Sequence, residues 1–229
     1  ILMVFYHGFY LLGYEFGFEL MEKAQRFSEP LQPPFACLFI LISGMSSCFS
    51  RSNLKRGLKL LAIALGFTGV TVFLLPRLGI EEAGIHFGIL HLLSVSMLVF
   101  ALVRPFLQRI DERVGFAIFA LLFFLCYNLQ SGQLLWFELP RGIYANELTA
   151  VLGFPPRGYY SADYFPVFPY IFMFGCGTYL GKYATRNPLP SGFYKVHCAP
   201  LAAVGRKTLI IYIIHWPIIF LLGLIISKI

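Results

Sequence analysis

Apolar residues along this chain do not recur at the interval of an amphipathic helix. They come in continuous runs separated by short charged stretches. A helix that is hydrophobic all round belongs in lipid or in a large core. Seven runs predict seven helices: Ile1–Leu12, Pro34–Ser50, Leu58–Leu75, His86–Val103, Val114–Asn128, Phe165–Gly181 and Thr208–Ser227. Runs of roughly 20 residues match a hydrocarbon layer ~30 Å thick at a rise of ~1.5 Å per residue. The fold class expected is therefore all-α, a polytopic transmembrane bundle of about seven spans. It reads as one domain over residues 1–229 with a long outer loop at 129–164. The run from Ile1 reads as a spanning helix whose first part is missing. It is not a signal peptide, since no basic n-region or small-residue cleavage site accompanies it.

The connections sort by charge. Arg51, Lys55, Arg56 and Lys59 cluster at the second, Arg104, Arg109 and Arg113 at the fourth, and Lys182, Arg186, Lys195, Arg206 and Lys207 at the sixth. These hold twelve of the 18 Lys and Arg, with Lys23, Arg26, Arg77, Arg141, Arg157 and Lys228 elsewhere. Glu81 and Glu82 sit in the third connection. Such alternation places the basic loops in the cytoplasm, with the true N-terminus inside and Ile229 outside. Within the runs, Ser43 and Ser47, Gly44 and Cys48, and Gly177 and Gly181 are each one turn apart. Small residues at that spacing let helices approach closely in lipid. The outer loop is long and rich in Gly, Pro and Tyr, so it needs a job or structure of its own. At its end, Asp163 is placed to cap the sixth span, with Pro166 in the first turn.

Composition strengthens this picture. Hydrophobic residues make up 58% and charged residues 13%, against about 25% charged in soluble domains. Mean hydropathy is +0.74. The net charge of +7 would suggest a nucleic-acid partner in a soluble protein; here it reports topology, and no nucleic acid is expected. The five cysteines, Cys37, Cys48, Cys126, Cys176 and Cys198, show no CxxC spacing. They read as small hydrophobes, with neither a metal nor a disulfide framework expected.

Ionisable groups at membrane depth are costly, so each is a functional hypothesis. His7, toward the outer end of the first span, reads either as an interfacial aromatic-like residue or as a functional group. His86 reads best as a solvated helix-end residue. His91 lies five residues deeper, on another side of the helix at 100° per residue, and needs a polar partner. His215 is deepest and precedes Trp216-Pro217. Pro217 cannot donate to the carbonyl of Ile213, so His215 is either satisfied by that backbone defect or belongs to a site built there. Arg56 and Arg206 look placed at helix starts, where a cation opposes the dipole. With Arg51 they offer a phosphate-binding group, and the alternative is a plain topology signal.

Several segments taken together resemble the membrane acyltransferases related to heparan-alpha-glucosaminide N-acetyltransferase. These are Met3-Val4-Phe5-Tyr6-His7, Leu38 to Gly44, Lys55 to Leu60, His86-Phe87-Gly88-Ile89-Leu90-His91, Ser161 to Pro166 and Gly205 to His215. Sugar O-acetylases of bacterial envelopes share the early His and the late Tyr-x-x-His. The resemblance implies acetyl transfer from cytoplasmic acetyl-CoA to an extracytoplasmic sugar or glycolipid in the cell membrane. Arg51, Arg56 and Arg206 would bind the donor's phosphates. His7, His91 and His215 would supply a base, or a nucleophile that is acylated first. Asp163 would orient a histidine or bind the acceptor. In animal lysosomal members the proposed catalytic histidine lies in the first outer loop; Gly13 to Pro33 has none, so His7 or His91 would serve. The expected partners are the bilayer, the acyl donor and the sugar acceptor, with a homodimer left open. The competing class is a transporter of a small solute or protons along the intramembrane histidines. One Pro-broken span and no repeat weigh against it.

Overall fold

A computed structural model describes residues 2–78, 84–187, 191–192 and 198–227. Ile1, Glu81, Glu82, Lys195, Lys228 and Ile229, used above for spans and loop charge, lie outside the described residues. The chain is all-α, as expected. Among the described residues four helical segments are long and apolar enough to cross a membrane: Asn53–Leu74, Ile89–Leu107, Glu112–Ser131 and Thr208–Ile226. The other three expected spans are also helical, but fall short of those four in length or apolarity.

By contact the chain divides into two compact units, Ile1–Leu38 with Leu189–Ile229, and Phe39–Pro188. In the first, α1 (Leu2–Tyr10) runs on into a π-helical turn at Leu11–Glu15, and α2 (Glu19–Ser28) folds back against it. The short helix α9 (Ala199–Arg206) precedes α10 (Thr208–Ile226). The ring of Phe16 seats against Gly223, where an added Cβ would overlap it.

α3 (Gln32–Ser47) passes from the first unit into the second. The second unit continues with α4 (Asn53–Thr68), which ends in a π-helical turn at Gly69–Leu74, then α5 (Ile89–Leu107), α6 (Glu112–Leu125), α7 (Glu147–Ala150) and α8 (Val167–Arg186). Caps explain the shifts from the expected bounds. Ser52 accepts from Lys55 N–H at 3.3 Å, so α4 begins before Leu58. Asp111 accepts from Arg113 N–H at 2.9 Å and Val114 N–H at 3.3 Å, starting α6 at Glu112. The small residues do what their spacing implied: a Cβ on Gly44 would overlap the carbonyl of Phe174, and one on Gly177 the carbonyl of Leu41. The α3–α8 contact is therefore a backbone-on-backbone approach.

The long loop at 129–164 does have structure of its own. β1 (Gln133–Leu134) pairs antiparallel with β2 (Phe137–Glu138). Leu135 takes a φ of 55° in the turn, and Trp136 is 86% exposed there. Tyr144 donates to Leu129 O at 2.5 Å and Tyr164 to Ala150 O at 2.6 Å; burial pushes both hydroxyls above the usual tyrosine range. One expectation needs correcting. Asp163 does not cap α8, whose N-cap is Pro166. Its carboxylate instead accepts from Ile89 N–H at 3.0 Å, at the start of α5. The loop carries Asp163 across to a different helix, which sequence proximity hides.

Gly177→Leu forces two backbones apart and should cost about 3 kcal/mol, read as a large drop in melting temperature in detergent. The N–H groups of Val114 and Arg113 hold the Asp111 carboxyl below the usual carboxylate range. A depressed folded value stabilises above the unfolded value of ~3.9 and is lost as pH falls through the folded one. Asp111→Asn should therefore flatten the acid limb of the stability–pH curve.

Candidate active site

Two of the expected residues meet in the first unit. His7, on α1, and His215, on α10, lie with Nδ1 of the former 2.8 Å from Nε2 of the latter. The rings are nearly coplanar, at an interplanar angle of 15°. Where the protons sit follows from the third partner. His215 Nδ1 lies 2.6 Å from the carbonyl of Tyr212. A carbonyl only accepts, so His215 Nδ1 carries the hydrogen. In a neutral imidazole the other nitrogen then has a lone pair. His215 Nε2 therefore accepts, and His7 Nδ1–H donates. By the same rule His7 Nε2 holds a lone pair, and no described residue engages it. The carbonyl used is that of Tyr212, one turn before Trp216 on α10, rather than the Ile213 carbonyl that Pro217 leaves free.

The surroundings are aromatic and amide. The Tyr6 ring lies 5.8 Å from His7. Gln25, on α2, is 1% exposed. Its Oε1 has no partner among the described residues. Sequence reading passed over Gln25 because α2 is charged and short; a polar side chain amid its exposed positions gives no periodic signal.

His91 and Asp163 meet in the second unit, at the start of α5. Gly88 N–H donates to His91 Nδ1 at 3.2 Å. His91 Nε2 must then carry the proton, which it gives to Thr68 Oγ1 at 3.2 Å. Thr68 passes its own hydrogen to Ile85 O at 2.9 Å. Both ring nitrogens of His91 are thus occupied by the fold. Asp163 holds the neighbouring N–H, that of Ile89. A Cβ on Gly88 would lie 2.6 Å from both the carbonyl and the carboxylate of Asp163, so the site admits only glycine. Ala162 N–H donates to Gly84 O at 3.0 Å, and His86 N–H to Ser161 Oγ at 3.3 Å. His86 itself is exposed, as its helix-end reading implied.

Of the expected phosphate-binding cations, Arg51 and Arg56 belong to the second unit and Arg206 to the first. Arg51 and Arg56 are exposed before and within the first turn of α4. Arg206 ends α9 rather than beginning a helix, and a cation suits that end of the dipole. A cavity of about 470 Å³ opens elsewhere in the second unit, lined by Asn53, Arg104, Gln108, Lys182 and Arg186 among others. Read from the sequence, those cations had only a topological meaning. Among the described residues no group of three or more His, Cys, Asp or Glu is arranged to hold a metal ion.

Comparison with known proteins gives one finding. The family model described as heparan-alpha-glucosaminide N-acetyltransferase, catalytic, matches residues 1–217. No curated protein and no solved structure matches the chain.

Geometry at α5 predicts a structural role for His91. His91→Ala orphans the Gly88 N–H and should cost about 1–3 kcal/mol. His91→Asn, which can still accept from that N–H, should recover much of the loss in a thermal melt.

Proposed function

This chain belongs to the family of the heparan-alpha-glucosaminide N-acetyltransferase catalytic domain, and on that premise we propose that it moves an acetyl group from cytoplasmic acetyl-CoA to an extracytoplasmic sugar or glycolipid, with His7 as the base. As a member of this family it is a membrane acyltransferase. The proposed setting is the cell membrane, with multiple crossings and the basic loops inside.

One observation carries the choice of base. Of the intramembrane histidines, His7 has one nitrogen that no described residue engages, while its other nitrogen is held by His215. A base must be oriented and must still have its lone pair. His91 meets the first condition and not the second.

The chemistry follows from those protons. An acceptor hydroxyl or amine beside Tyr6 and Gln25 attacks the thioester carbonyl. His7 Nε2 takes the acceptor's proton as the C–O or C–N bond forms. The resulting imidazolium is stabilised by its Nδ1–H bond to His215, whose own ring is anchored on Tyr212. When the C–S bond breaks, His7 returns the proton to the departing thiolate. Arg51, Arg56 and Arg206, all exposed, would draw the anionic donor by their field. His91 and Asp163 act as positioning residues for the start of α5.

Purified protein in proteoliposomes, given radiolabelled acetyl-CoA and a panel of amino sugars and glycolipids, tests this reading. His7→Ala should lower kcat by about 100-fold or more with little change in KM for acetyl-CoA. His215→Ala should cost about 10-fold, and His215→Gln, whose amide oxygen can accept from His7, should cost less. A His7→Ala enzyme turning over at the wild-type rate removes the proposed base. A wild-type protein that consumes no thioester with any acceptor removes the donor.

A further inference from the structure

The cavity in the second unit is lined by residues given no role in the reaction proposed above, several of them charged. It lies where three basic connections converge: Asn53 comes from the second, Arg104 and Gln108 from the fourth, Lys182 and Arg186 from the sixth.

Its cations differ in how firmly they are held. Lys182 is committed to the fold: Nζ donates to Gln108 O at 3.2 Å and to Ile110 O at 2.6 Å, and lies 3.9 Å from Glu112. Arg186 is paired with Glu112; the carboxylate's side chain is 11% exposed and the guanidinium's 60%. Arg104 stands exposed in the last turn of α5, with no hydrogen-bond or ion-pair partner among the described residues. Asn53 Nδ2 donates to Ser47 O at 2.9 Å, which leaves Oδ1 buried and unpartnered among the described residues.

We infer that this cavity receives a phosphate-bearing anion, which Arg104 engages and which draws Arg186 away from Glu112, while Asn53 Oδ1 accepts a hydrogen bond from the same ligand. The planar guanidinium fork suits a phosphate better than a single carboxylate oxygen. An ion pair with one exposed partner is weakly held in water, so the exchange is easy. An orphaned buried acceptor is a standing cost unless a ligand relieves it. Lys182 stays on its two carbonyls and keeps the α5–α6 connection in place during the exchange. Glu112 thus acts as an internal competitor that sets how tightly the anion binds. That the anion is the nucleotide end of the acyl donor rests on the function proposed above; a phospholipid headgroup offers the same chemistry.

The test is a titration of the full chain in phosphatidylcholine nanodiscs with coenzyme A and with adenosine 3′,5′-bisphosphate. A parallel arm measures retention of phosphatidylglycerol during purification. Arg104→Gln should weaken nucleotide binding about 10-fold or more. Glu112→Gln, by releasing Arg186, should tighten it about threefold, and adding Arg186→Gln to that variant should abolish the gain. Thermal melts of each variant check that the fold is kept; Arg104 is exposed, so its variant is the safeguard should Glu112→Gln unfold. Wild-type binding in Arg104→Gln overturns the site. Weaker binding in Glu112→Gln shows that the carboxylate positions Arg186 for the ligand, and overturns the exchange. Arg104-dependent retention of phosphatidylglycerol without nucleotide binding supports the anion site and removes the donor assignment. Arg104-dependent nucleotide binding by a protein that never consumes acetyl-CoA supports the site and removes the proposed reaction.

Discussion

A carbonyl oxygen cannot donate. That constraint, at Tyr212, assigns every proton in the first unit's histidine pair. With the hydrogen of His215 fixed on Nδ1, its Nε2 can only accept, and His7 can only donate from Nδ1. The lone pair left on His7 is a consequence of the backbone of α10, set from about three residues away on the same helix. Polar side chains inside membranes are usually described by their burial cost. Here the cost is met by a directed chain of hydrogen bonds, and the direction leaves a lone pair at its His7 end.

The same rule applied to α5 gives the opposite result. His91 is approached by a backbone N–H on one nitrogen and by a threonine hydroxyl on the other. Asp163 takes the adjacent N–H. Together they satisfy a helix start that would otherwise leave bare donors in an apolar setting. The two histidines thus differ in which atoms reach them.

Helix existence was legible from the apolar runs, and the last span was placed almost to the residue, Thr208–Ser227 against Thr208–Ile226. The small-residue pairs correctly marked the α3–α8 approach. The caps at Ser52 and Asp111 went unread, and the one expected cap, Asp163, serves another helix. Asp163 sits three residues before Pro166, and nothing in the sequence says that its carboxylate turns to Ile89. The pairing of His7 with His215 spans 208 positions; the sequence named both residues without linking them. The cavity cations were hidden for another reason. Arg104, Lys182 and Arg186 fit the charge bias of membrane loops so well that no residual signal pointed to a shared wall.

The turn of the β1–β2 hairpin has a practical outcome. Trp136 stands open at its tip, 86% exposed, and the only other tryptophan, Trp216, is partly buried beside His215. One indole therefore belongs to each compact unit. Intrinsic emission from a chain with either indole replaced by phenylalanine becomes a built-in reporter on a single unit, so the order in which the two lose their structure is open to direct spectroscopy without any added label.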